Sequence, residues 1–128
     1  MRRSLRSRAD FVRIQKGSLK ASSAHYLFLV GASALGPNAA ARLGIVVTKK
    51  LGNAVVRNRV KRTARETFRK MPDFVPNGID LVVIARAKAE TLSQPEVQTE
   101  WERTRAAVAK IAARVAPIAD RHHVARRP

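Results

Sequence analysis

The chain has no cysteine, which excludes disulfide scaffolds, thiolate zinc sites and cysteine nucleophiles. Aromatics are scarce, with one Trp, one Tyr and four Phe, so a core must be built mainly from Ala, Val, Leu and Ile. Acids are few beside bases: nine Asp plus Glu against 26 Lys plus Arg, a net charge of +17. A charge of that size opposes compaction by self-repulsion and favours a polyanionic partner, nucleic acid first and an anionic membrane surface second. No apolar run reaches the roughly 18–20 residues of a membrane span. The basic start, MRRSLRSRADF, lacks the apolar stretch of a secretory signal, so a cytoplasmic protein is expected. His25 is isolated, and His122 and His123 have no ligand partners at useful spacing. No Walker loop, dinucleotide fingerprint or Ser/His/Asp pattern occurs. No carboxylates pair for acid–base or two-metal chemistry. No catalytic residue and no metal ligand is therefore assigned.

What is present is one domain's worth of chain, 128 residues with 45% hydrophobic content, enough to form a core. The charge is uneven. Residues 41–70 hold ten bases and one acid, whereas 71–120 hold six bases and seven acids, so the positive excess defines a face. Ser7 to Lys16 reads as a short helix, with Ser7 and Asp10 at capping-box spacing and Gly17 as its stop. Ser18–Ser22, Ala24–Ser33 and Arg42–Thr48 read as strands. Ile79–Arg86 is a near-continuous apolar run that fits a buried strand. Met71–Gly78, with two prolines and a glycine, is a loop. Ser93 and Glu96 open a long helix whose stripe runs through Val97, Trp101, Thr104, Val108, Ile111 and Val115. Pro117 is expected to end it. The expected fold is α+β in the order αβββαβα, with helices packed on one sheet. The domain is placed at residues 1–116, and 117–128 is read as a basic, disordered tail.

Asn53 is a plausible N-cap for a helix over Ala54–Lys70. At 100° per residue, Val56, Val60, Thr63, Ala64, Thr67 and Phe68 fall in a sector of about 140°. Asn58, Arg59, Lys61, Arg62, Arg65 and Arg69 spread over the other side, with Arg57 at the border. Five of the seven cations from Arg57 to Lys70 are Arg, the side chain whose fork matches phosphate. Lys49 and Lys50 precede the helix N-terminus, which itself favours anions. Like charges on such a face cost a few tenths of a kcal/mol per i,i+4 pair, and a polyanion offsets that.

The run Lys49-Lys50-Leu51-Gly52-Asn53-Ala54-Val55-Val56-Arg57-Asn58-Arg59-Val60-Lys61-Arg62, followed by Arg65, Glu66 and Phe68, resembles the RNR signature of the protein component of bacterial ribonuclease P. The flanks agree, from Phe11 on the first helix to the Asp80–Arg86 strand and the last helix, so the resemblance covers about residues 5–115. It implies a four-stranded sheet with a left-handed βαβ crossover through the RNR helix. It implies a subunit of a ribonucleoprotein endoribonuclease that removes the 5′ leader of precursor tRNA. A large RNA would perform hydrolysis with Mg2+, and the protein alone would bind no cofactor. Its partners would be that catalytic RNA, at about one protein per RNA, and precursor tRNA, with no membrane and no small-molecule substrate. The resemblance assigns RNA contact to Lys49, Lys50, Asn53, Arg57, Asn58, Arg59, Lys61, Arg62 and Arg65; Arg69 joins them from its place on the basic helix face. Phe11 matches the aromatic of a cleft for the single-stranded leader, and Tyr26 lies in the strand expected to floor it. Many members carry a second aromatic one turn after the first. Here Ile14 and Gln15 stand there instead, which shifts expected leader contact toward Tyr26, Phe28 and backbone electrostatics. The alternative is a basic RNA-binding or ribosome-associated protein without a role in cleavage.

Overall fold

The computed structural model describes residues 8–17 and 19–125, with side-chain surroundings given as far as residue 115. The elements run α1 (Arg8–Gly17), β1 (Leu19–Ser22), β2 (Tyr26–Ala32), β3 (Arg42–Val46), α2 (Ala54–Lys70), β4 (Ile79–Ala85) and α3 (Gln94–Ala125). This is the αβββαβα order expected, with short 3-10 turns at Lys49–Leu51 and Ala89–Thr91. Ser7 and Ser18, included in the expected first helix and first strand, lie outside the described residues.

The sheet order is β1-β2-β4-β3. β2 is antiparallel to both β1 and β4, and β3 runs parallel to β4. Parallel neighbours need a crossover, which α2 supplies. The register puts alternate residues on opposite faces. Tyr26, Phe28, Val30, Leu43, Leu81 and Val83 join the main core beneath α2 and α3. Leu29 and Val82 form a smaller cluster with Ile14 of α1, edged by Phe11, Leu27, Val46 and Ile84. Both sheet faces are covered, which is why β2 and, apart from Asp80, β4 read as apolar runs.

Trp101 of α3 centres the main core. It is fully buried, edge-on to Tyr26 and Phe28 at 5.8 and 5.4 Å and tilted against Phe74 at 5.3 Å. The expected capping box at the start of α3 is made: Glu96 N–H donates to Ser93 Oγ and Ser93 N–H donates to Glu96 Oε1. Val97, Trp101, Thr104 and Val108 are buried as the stripe requires. The helix does not stop at Pro117, however, and continues to Ala125. A proline removes one backbone donor and crowds one carbonyl, and an otherwise strong helical run has absorbed that local cost.

Candidate nucleic-acid interface

The cationic surface is organised by the start of α2. Asn53 is extended, and its Oδ1 accepts the Val56 N–H at 3.0 Å, an N-cap as expected. Gly52 before it has φ +145°, and a Cβ there would stand 2.9 Å from Val56. Val60, Ala64, Thr67 and Phe68 are the buried face of α2. Asn58, Arg59, Arg62, Arg65 and Arg69 are exposed, while Arg57 and Lys61 are half-buried at the border. Lys49 and Lys50 are exposed in the turn ahead of the helix. The helical periodicity therefore assigned the two sides correctly.

The predicted contacts divide by what their side chains already do. Arg57 Nε donates to Gly52 O at 3.2 Å, and Arg59 Nη2 donates to Glu90 O at 2.9 Å. These two arginines tie α2 to its own entry turn and to the segment after β4. Arg69 forks onto Glu66 at 3.1 and 2.6 Å. That hydrogen bond, with the charges of Arg69 and Lys70, holds the Glu66 carboxyl below the usual range. The side chains of Lys49, Lys50, Asn58, Lys61, Arg62 and Arg65 make no hydrogen bond or ion pair among the described residues, so their donors face outward unspent.

Beside this helix lies a cavity of about 340 Å³ at the C-terminal ends of the parallel strands. Thr48, Lys50, Arg86, Lys88 and Glu90 line it. Arg86 and Lys88 were missing from the predicted set. They follow the end of β4 and lie 36 and 38 positions beyond Lys50, so only the parallel pairing of β3 with β4 brings them near.

The leader-cleft residues are not brought together. Tyr26 and Phe28 are 1% and 0% exposed in the core beneath α3. Burial pushes the Tyr26 phenol up, with the Glu100 charge adding to it. Phe11 lies half-buried on the opposite face of the sheet, against the cluster of Ile14, Leu29 and Val82. The floor beside Phe11 is thus made of Leu27, Val46 and Ile84. The expectation that Tyr26 and Phe28 line the same cleft as Phe11 is corrected: strand alternation puts them on one face together, but tertiary packing chose the other one.

Apart from Glu90 in the cavity beside α2, whose Oε1 is buried without a hydrogen-bond partner among the described residues, most of the acids are committed elsewhere. Asp10 and Asp80 pair with Arg13 and Arg42, and Glu102 pairs with Arg105. Glu100 accepts from Ser23 Oγ, the His25 backbone N–H and the His25 ring. Among the described residues no three His, Cys, Asp or Glu side chains converge as a metal site, and no helix is long and apolar enough to cross a membrane.

Fold and site define the class: a small α+β protein in which one helix presents an arginine-rich surface. The family profile for Ribonuclease P matches residues 1–109, and the chain belongs to that family. It is 44% identical over 84 residues to the ribonuclease P protein component of Brevibacillus brevis, a match covering 66% of this chain and 64% of that one. It is 41% identical over 87 residues to that of Thermotoga petrophila, covering 68% and 72%. The solved ribonuclease P protein of Staphylococcus aureus superposes with a TM-score of 0.73 at 32% identity, over 87% of this chain and 98% of that one. The Thermotoga maritima protein gives 0.69 at 33%, over 80% and 94%.

Proposed function

We propose that this chain binds the catalytic RNA of ribonuclease P, at one protein per RNA, and the 5′ leader of precursor tRNA, assisting cleavage in the cytoplasm. The observation that carries the reading is the outward face of α2, where Asn58, Lys61, Arg62 and Arg65 have no side-chain partner among the described residues. A fixed helix bearing unspent donors meets a phosphate backbone without first breaking bonds of its own. The strip beside α1 where Phe11, Leu27, Val46 and Ile84 edge one apolar cluster is read as the groove for an unpaired strand, whose bases stack or pack as they pass. Hydrolysis belongs to the RNA and its Mg2+. The commitment of Asp10, Asp80, Glu96 and Glu100 to arginines, a cap and a turn supports that division. The protein neutralises phosphates, so the RNA needs less Mg2+ in its presence.

The test is multiple-turnover cleavage of precursor tRNA at low Mg2+ by protein alone, ribonuclease P RNA alone, and both. Arg62→Ala/Arg65→Ala is the control protein, because those side chains hold no internal contact whose loss would confuse the result. Cleavage only by the pair, weakened by the control, is expected. Cleavage by the protein alone would overturn the division of labour, and an unchanged RNA would leave only a basic RNA-binding domain.

A further inference from the structure

Arg13 stands in a basic N-terminal segment and is 41% exposed at its side chain, so charge counting would assign it to RNA phosphate. Its bonds say otherwise. Nη1 donates to the Ala32 carbonyl at the end of β2 at 2.9 Å. Nη2 donates to Asp80 Oδ2 at 2.9 Å and to Asp10 Oδ1 at 3.2 Å. Asp80 is fully buried on β4 and is also forked by Arg42 of β3, at 3.0 and 2.8 Å. Arg42 lies 3.6 Å from Asp10 Oδ2. Two arginines and two aspartates thus close a neutral cluster over the ends of β2, β4 and β3. One turn of the same helix puts Ile14 into the sheet at Gly31, where a Cβ would come within 3.3 Å of Ile14 Cγ1.

We propose that Arg13 is a positioning residue: it pins α1 across the sheet and so sets where Phe11 stands over the groove. The inference rests on the proposed reading of that groove as the leader's path. A guanidinium is required, because only its planar fork reaches a carbonyl and two carboxylates at once. Arg13 adds no unspent charge for RNA.

Holoenzyme is assembled with the wild-type chain, Arg13→Lys and Arg13→Gln, and steady-state cleavage is followed on precursors with a long leader and with a single-nucleotide leader. Both variants are expected to raise KM for the long leader about tenfold, the loss of one charge-assisted contact set, with kcat, short-leader KM and the salt slope unchanged. Amide exchange of residues 8–17 in the free chain is expected to speed up while β2 and β4 stay protected. Rescue by lysine, or a salt slope lower by about 0.7, would make Arg13 a phosphate contact and overturn the proposal. Unchanged exchange in both variants would also overturn it. If the wild-type holoenzyme treats both leaders alike, the groove reading fails by itself. Exchange of α1 then decides the pinning alone, faster exchange sustaining it and unchanged exchange ending it.

Discussion

Gly52 is a residue whose identity the backbone demands. Its φ of +145° and the 2.9 Å approach of Val56 leave no room for a methyl group. Gly52→Ala is expected to cost about 1–3 kcal/mol and to loosen the turn carrying Lys49 and Lys50, measured by urea unfolding. Trp101 makes the opposite case, a residue demanded by packing. Buried among Tyr26, Phe28 and Phe74, it should lose about 3–5 kcal/mol on truncation to Ala, a large share of the roughly 5–15 kcal/mol that holds a domain together. An urea titration followed by far-UV circular dichroism checks it. The sequence placed Trp101 in the core because its spacing along α3 is helical. No spacing told that Tyr26 would face it, since every position of YLFLV is apolar.

At the scale of elements, α2 separates structural from available cations. Arg57→Ala should lower the melting temperature, because it frees Gly52 O and weakens the helix entry. Arg62→Ala and Arg65→Ala should leave melting unchanged or slightly raised, since each removes a cation from a like-charged face, and flatten the salt dependence of RNA binding by about 0.7–0.9 per lost phosphate contact, read by titration at several salt concentrations. The turn between β1 and β2 is clasped to α3 through Glu100. Burial raises that carboxyl, but the hydrogen bonds from Ser23 and His25 outweigh it and hold the group below its ordinary range. A carboxyl depressed in the folded state stabilises above its unfolded value, here near 4.5, and that contribution disappears as pH falls through the lower folded value. Glu100→Gln should therefore reduce stability at neutral pH and narrow the difference from wild type as the pH is lowered below that point, measured by denaturation at each pH.

For the whole molecule, the balance is between a net charge of +17 and a fold that must stay compact. Few acids are left to oppose that charge, and several pin elements together: Asp80 of β4 beneath α1, Asp10 of α1 beside Arg42 of β3, and Glu100 of α3 under the β1–β2 turn, while Glu66 pairs within α2. The free protein is thus expected to gain melting temperature as salt screens its repulsion, while its complex with RNA weakens over the same range. Opposite salt responses of the two states, measured by thermal melts with and without RNA, check this.

Periodicity and composition by themselves determined most of the elements and the two-sided character of α2, and pointed to a polyanion as the partner to test, because helix period, cap residues and charge density are local properties of the chain. They also marked Lys49 to Arg65 as the surface segment. Only the tertiary structure decided which face of β2 meets α1, and so removed Tyr26 and Phe28 from the groove and put Leu27, Val46 and Ile84 there. Only it brought Arg86 and Lys88 beside Lys50, and joined Arg13 to Asp80 across 67 positions of chain. A sheet buried on both sides hides its facing from the hydrophobic pattern, and ion pairs between distant strands have no local signature, so both had to wait for strand register.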